Sequence, residues 1–402
     1  MTDSAGIPGG TEAAGGSSKS PRGRRRRLLR WIALGLALLV LCGAAAGWWL
    51  YRKLDGNITE DTSAAAELER YERERPTHAV GGSQNILLIG SDSRSGKENA
   101  RYGQDRGTER SDTAILLHLP ADRRSATAVS IPRDLMTWIP ACLTADGNRS
   151  AERLAQFNWA YQWGGAACTI RTVEKLTGIR IDHHMVVDFG GFKKMVDAVG
   201  GVEICLKQPM DDSEAKLKLP AGRQTLHGEQ ALGFVRARYS LGNGSDTERM
   251  ERQQQFLGSL VKKVQSTGVL LNPGRLYPLL DAATSSVTTD PGLASLRGLY
   301  ELVRGVRDIP AEQVKFLTVP RRPYAADPNR DELVQPEAAQ LFEQLRMDRP
   351  LTVTPPTAET EQAPETGRAA EGEASAPPKG TGSAPAPVPT FTGTTAGTAD
   401  CR

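Results

Sequence analysis

Two groups of arginines and carboxylates could do chemistry in this 402-residue chain. The first lies between Asn85 and Asp134. Asn85–Gly90 (NILLIG) runs into Ser91-Asp92-Ser93-Arg94, and Arg110-Ser111-Asp112-Thr113 opens Ala114–Leu119 (AILLHL). Ala126–Ile131 (ATAVSI) ends at Pro132-Arg133-Asp134. Two carboxylates with arginines at one rim can hold a hard divalent cation and a phosphate group together. The competing reading is a surface salt-bridge cluster, because charge at strand ends is common. The second group lies downstream. Phe234–Tyr239 (FVRARY) reads as extended, which puts Arg236 and Arg238 on one face. A helix starting near Asp246, a plausible N-cap, sets Arg249 and Gln253 one turn apart. Guanidinium forks match phosphate oxygens, and helix N-termini favour anions. The alternative is a set of solvated arginines partnered by Glu229, Glu248 and Glu251.

These side chains need elements to position them. Short apolar runs bounded by Gly, Pro and charge read as buried strands, and α/β sheets keep ligand sites at strand ends. Further on, Glu152–Trp163 and Cys168–Leu176 are helix-like, and His184–Phe189 is strand-like. Phe192–Val199 is a short helix, Val202–Leu206 a strand, and Gly228–Gly233 a short helix. Thr247–Val264 is amphipathic, with Leu257, Leu260, Val261 and Val264 on one face. Leu296–Val306 and Gln340–Arg346 are helical, with Val314–Val319 a late strand between them. This alternation predicts an α/β domain over residues 84–350, an α-β-α sandwich around a central mixed sheet.

The flanks have their own chemistry. Residues 1–27 form a disordered tail ending in arginines, and Trp31–Leu50 holds no charged residue. That length suits a membrane-spanning helix, placed at residues 28–51. The arginines put the N-terminus in the cytoplasm and the domain outside; Trp48, Trp49 and Tyr51 suit the outer interface. A signal-peptidase site at Ala44-Ala45-Ala46 is the alternative, but the apolar run continues past it. Residues 52–83 read as a solvated stalk, and 351–402 as a disordered Pro/Ala/Thr-rich tail. The net charge of +3 and the lack of a basic, aromatic-interleaved patch exclude a nucleic-acid binder. Among the five cysteines, Cys142 and Cys168 flank a predicted helix and are the favoured disulfide. No CxxC or Cys/His spacing suggests a metal site, and His183 and His184 would face opposite sides of a strand.

NILLIGSDSR, ERSDTAILLHL, SIPRDL, MVVDFGGFKKMVDAVGGVEICL, LPAGRQTLHGEQALGFVRARYS and DTERMERQQQFL occur in this order. The series resembles the LytR–CpsA–Psr family of membrane-anchored cell-wall enzymes, from Gln84 to Val264 and more loosely to Met347. The resemblance implies a phosphotransferase moving a glycopolymer from a polyprenyl-pyrophosphate carrier onto peptidoglycan, with Mg²⁺ or Mn²⁺. It implies Asp92 and Asp112 as metal ligands. It implies Arg133, Arg236, Arg238 and Arg249 as catalytic cations, with Arg110 and Gln253 binding substrate; Arg94, in the charged run after NILLIG, is a further candidate to bind substrate. The loop between Asp92 and Asp112 is longer than in shorter family members, so Asp105 competes as a ligand. The Arg-Ser-Asp-Thr context favours Asp112. Asp134 is either the general base or a structural partner of Arg133. Phe189, Phe192 and Met195 are either a lipid groove or plain core. A polyprenyl-pyrophosphate hydrolase and a non-catalytic envelope regulator or lipid-phosphate receptor are the alternative functions; the full set of aspartates and arginines speaks against the latter.

Overall fold

Leu87 and Ile89 face one side of a central sheet and Ile86 faces the other, and all three are almost fully buried. A strand apolar on both faces must be covered on both, and that need sets the architecture. The computed structural model describes residues 21–78, 80–91, 111–237, 246–266, 273–355 and 388–398. Asp92, Arg94, Asp105, Arg110 and Arg238 lie outside the described residues. Helix α1 (Pro21–Asp55) belongs, up to Lys53, to a unit of its own. Its apolar segment Leu28–Asp55 is a candidate membrane anchor.

The second unit runs from Leu54 to the C-terminus. Its sheet strands, in chain order, are β1 (Thr59–Glu60), β2 (Gln84–Ser91), β3 (Ser111–Leu119), β4 (Ala126–Ile131), β5 (His183–Asp188), β6 (Val287–Thr289), β7 (Val314–Thr318), β8 (Thr352–Thr354) and β9 (Thr390–Thr395). They lie in the order β1-β6-β5-β2-β3-β4-β7-β9-β8 and mix parallel with antiparallel pairs. The helices are α2 (Thr62–Arg70), α3 (Asn158–Thr177), α4 (Phe189–Ala198), α5 (Gly228–Arg236), α6 (Asp246–Ser266), α7 (Pro273–Thr284), α8 (Leu296–Val306) and α9 (Glu337–Arg346). Leu87, Leu116 and Val129 pack with Ile170 of α3 and Phe342 of α9. Ile86, Ile115 and Phe316 pack on the other face, with Leu257 of α6 and Leu302 of α8. The expected α-β-α sandwich with a mixed sheet is the observed fold.

Four local expectations are corrected. The stretch expected as a helix from Glu152 instead begins as a strand: Arg153–Gln156 pairs with Met136–Ile139, and the helix starts at Asn158. Cross-strand pairing wins over the helical spacing of Leu154, Phe157 and Tyr161. Residues 234–236, expected as extended, are the last turn of α5, which buries Ala231, Leu232 and Phe234. The polar stalk is part of the domain. β1 pairs with β6, and α2 buries Ala64 and Leu68 in the main core. Its charges find partners there: Arg75 Nη2 lies 2.7 Å from Glu174 Oε1, and Arg180 Nη2 lies 2.8 Å from Glu72. The tail expected to be disordered contributes β8 and β9, with Phe391 buried. Residues 356–387 lie outside the described residues.

Cys142 and Cys168 are bonded, with Cα atoms 5.6 Å apart, as expected. The two are 26 residues apart in sequence, and closing a loop of that length stabilises by roughly 3–4 kcal/mol. α3 breaks at Gly164-Gly165 to admit the bridge. A Cβ on Gly164 would meet Leu143 O at 2.7 Å and Cys168 Cβ at 2.8 Å, and Gly165 has φ +59°. Cys205, whose pairing the sequence leaves open, is also disulfide-bonded.

Candidate active site

The antiparallel register of β3 and β4 builds the cleft. Ala114 pairs with Ile131, so two residues further out Asp112 meets Arg133. Arg133 Nη1 donates to Asp112 Oδ1 at 3.1 Å, and its Nε donates to Asp134 Oδ2 at 3.1 Å. Helix α6 lies across these strand ends. Gln254 pins it to the sheet, donating from Nε2 to Ser130 Oγ at 3.2 Å and Thr318 Oγ1 at 3.1 Å. That orientation turns Arg249 and Gln253 into a narrow cleft with Asp112, Ser130 and Arg133. Arg249 is 4% exposed, so its guanidinium is largely taken from water. A cation desolvated in this way interacts strongly with an anion that enters.

Asp134 is engaged from three directions. Besides Arg133, Gln156 Nε2 donates to its Oδ1 at 2.6 Å, and Arg330 Nη1 lies 3.7 Å from the same oxygen. The Asp134 carbonyl accepts from Asp331 N at 3.2 Å. Sequence reasoning missed Gln156 and Arg330. Both reach the site through pairings of distant strands, which leave no local signal.

Arg236 closes α5, is exposed, and sets its guanidinium carbon 4.6 Å above the Phe189 ring. Gln253 Nε2 donates to Val235 O at 3.2 Å, and Arg252 donates to Ala237 O. Helix α6 thus grips the backbone on both sides of Arg236. Burial pulls the Arg252 guanidinium below its ordinary value, with nearby acids opposing. Phe189 is buried, and Phe192 packs on Phe256 at 5.4 Å in a second core around α4 and α5. His183 and His184 sit apart from this cleft and bind Asp290 and Asp61. Asp112 is the carboxylate among the described residues that line the cleft, a hard oxygen donor of the kind Mg²⁺ or Mn²⁺ prefers. No group of three or more His, Cys, Asp or Glu residues arranged for a metal occurs among the described residues.

The LytR_cpsA_psr family matches residues 55–348, which hold β1 to β7 of the sheet, both arginine-bearing elements and the cleft. The chain belongs to the LytR–CpsA–Psr family. It is 33% identical over 320 residues to the cell wall biosynthesis protein LcpA of Corynebacterium glutamicum, covering 73% of this chain and 60% of the relative. It is 30% identical over 281 residues to a Bacillus cereus protein named polyisoprenyl-teichoic acid–peptidoglycan teichoic acid transferase TagU, covering 69% and 84%. A 40% identical match to the probable cell wall biosynthesis protein LcpB of C. glutamicum covers 48% of that relative, so the chain spans about half to three fifths of these corynebacterial proteins. Two solved structures share the fold. One is a LytR-Csp2A-Psr enzyme from Actinomyces oris, with TM-score 0.52 and 23% identity over 67% of this chain and 93% of that one. The other is TagV of Bacillus subtilis, with TM-score 0.51 and 23% identity over 67% and 99%. The LytR–CpsA–Psr domain therefore includes the segment after the apolar helix, in accord with the packing of α2.

Proposed function

We propose that this protein transfers a glycopolymer from a polyprenyl-pyrophosphate carrier to peptidoglycan and releases polyprenyl phosphate. The observation that carries this reading is the convergence of Asp112, Arg133, Arg249 and Gln253 on one cleft. The names of relatives as cell wall biosynthesis proteins and a teichoic acid transferase support it. In the proposed step, an acceptor hydroxyl oxygen attacks the phosphorus that bears the glycan. The bond from that phosphorus to the bridging oxygen breaks, and the polyprenyl phosphate leaves with the electron pair. The hydroxyl proton passes to solvent or to a nearby base.

Each side chain has a stated part. Arg133 and Arg249 hold the phosphate oxygens and spread the charge that grows on them. Arg236, at the end of α5, and Arg238 would supply further positive charge to the phosphates. Arg94, Arg110 and Gln253 help hold the substrate. Asp92 and Asp112 would hold a divalent cation, Mg²⁺ or Mn²⁺, which would supply positive charge to a bound pyrophosphate. Asp134, bonded by Arg133, Gln156 and Arg330, suits the positioning of Arg133 better than proton transfer.

The apolar helix anchors the protein, with its N-terminus in the cytoplasm and the domain outside. The Cys142–Cys168 bond suits an oxidising exterior. The test combines a lipid-pyrophosphate glycan, Mg²⁺ and peptidoglycan oligomers, and follows the products. Glycan covalently joined to peptidoglycan, together with polyprenyl phosphate, is the expected result. Polyprenyl phosphate with free glycan phosphate would instead make the enzyme a hydrolase.

A further inference from the structure

Next to the cleft, the hairpin of Met136–Ile139 and Arg153–Gln156 presents a face that the reaction above does not use. Its register pairs Met136 with Gln156 and Trp138 with Leu154. Side chains two apart on a strand share a face. Trp138 and Leu154 therefore share the face of Gln156, which bonds Asp134 at 2.6 Å. The next pair along a strand is about 7 Å away. Trp138 is 54% exposed and Leu154 42%, while Thr137, Ile139 and Ala155 on the opposite face are buried. An indole half in water beside an exposed leucine contributes little to a core.

This face is held firmly against the cleft. Phe157 N donates to Leu135 O at 2.9 Å, and Asn158 N donates to Arg133 O at 3.0 Å. The hairpin's buried side joins a small core of Ile139, Ala155, Ala160 and the Cys142–Cys168 bridge. Trp159 and Trp163 pack against that core edge to face, with Arg153 stacked 4.7 Å above Trp163. Trp138 is thus an aromatic surface one same-face pair along the hairpin from Gln156, which reaches Asp134, the partner of Arg133.

We propose that Trp138, backed by Leu154, is a stacking platform for a sugar ring of a glycan whose reacting end sits in the cleft. The indole face is flat and apolar and covers the C–H face of a pyranose, leaving the sugar hydroxyls in water. The sugar comes from either the donor glycan or the peptidoglycan acceptor, which share this chemistry. The proposal rests on the glycan-transfer reading above.

The test uses full-length protein in nanodiscs, with Trp138→Ala, Trp138→Phe and Leu154→Ser. The probes are a polyprenyl-pyrophosphate-linked disaccharide, polyprenyl pyrophosphate without sugar, and soluble peptidoglycan oligomers. Trp138→Ala should weaken binding of one glycan probe at least tenfold and leave the sugar-free lipid unchanged. Trp138→Phe should lose less, and Leu154→Ser, which keeps the indole, should weaken the same probe severalfold. Loss for the disaccharide assigns the platform to the donor; loss for the oligomers assigns it to the acceptor. Wild-type affinity for both glycan probes in Trp138→Ala overturns the proposal. So does equal weakening of the sugar-free lipid, which would make this face a prenyl contact. Should Trp138→Ala not fold, Trp138→Phe and Leu154→Ser decide: both binding glycan as wild type does also overturns it. The transfer reading fails separately, if wild-type protein binds glycan through Trp138 yet joins none to peptidoglycan.

Discussion

The sheet is charged at both ends, and the two ends are charged differently. Where β5 begins, acids and bases are matched one to one. His183 Nδ1 meets Asp290 Oδ1 at 3.0 Å, His184 Nε2 lies 3.4 Å from Asp61, and Arg75 holds Glu174. Burial alone would raise the Asp61 carboxyl, but hydrogen bonds from His184, Ala64 N and Ser63 hold it down at about 2. Where β2 ends, Arg133, Arg249 and Arg330 gather around Asp112 and Asp134. Arg330 also pairs with Asp327 at 3.2 Å, while Arg133 and Arg249 line the cleft. Matched charges hold elements together, whereas guanidiniums that line a cleft can receive an anion. The same residue types therefore build a joint at one end and a site at the other.

The largest expected effect tests the joint. Arg75→Ala leaves the Glu174 carboxylate buried without its main partner, and its side chain is 3% exposed. Unfolding free energy should fall by about 3–5 kcal/mol. Denaturant titration measures it, and turnover of the folded protein should stay near wild type. Lost turnover with intact stability would erase the contrast between the two ends.

Next in size is the disulfide. Replacing Cys142 and Cys168 with serine should cost roughly 3–4 kcal/mol. Thermal unfolding of the detergent-solubilised protein, with and without reductant, checks this; reduction should leave the double mutant's transition unmoved unless the Cys205 bridge contributes.

The cleft comes third, and there rate should move more than stability. Arg133→Ala and Arg249→Ala should each weaken pyrophosphate binding and turnover by about 1.5–3 kcal/mol, roughly ten- to a hundredfold. Arg249→Lys should recover part of that, because an ammonium lacks the planar two-point contact. Asp112→Ala should instead flatten the Mg²⁺ dependence and leave lipid binding largely intact. Single-turnover assays across a Mg²⁺ titration separate these patterns. A wild-type metal response in Asp112→Ala would shift the ligand role toward Asp105.

The smallest effect is a pH dependence at the joint. The hydrogen bond to Asp290 raises the His183 pKa, against the opposing effect of burial. A raised histidine pKa stabilises fully below its unfolded value, near 6.5, and the benefit fades as pH rises through the folded value. The melting temperature difference between wild type and His183→Ala should therefore be largest below about pH 6.5 and shrink above it. A difference that stayed constant from pH 5.5 to 8.5, about the range in which histidine titrates, would mean that the pair acts without its charge.

Much of the site was legible in the chain because its signals are local. NILLIG, AILLHL and ATAVSI are buried on both faces, so their apolar runs announced central strands, and the charges at their ends had to emerge at a rim. The period of Leu257, Val261 and their neighbours announced α6, and with it Arg249 and Gln253. The helical state of Arg236 was hidden, because two arginines at alternate positions look the same in a strand as at a helix end. Gln156, Arg330 and the hairpin face of Trp138 were hidden for another reason. Their places come from strand pairings between distant segments, and a pairing register is a property of two strands rather than of either one. The charged segment from β1 to Arg75 looked like a stalk because nothing in it names Glu174 or β6 as partners. The sequence by itself determined which residues must be buried and which charges must lie at strand ends. Only the tertiary structure decided which charges meet, because ion pairs form between surfaces that packing alone brings together.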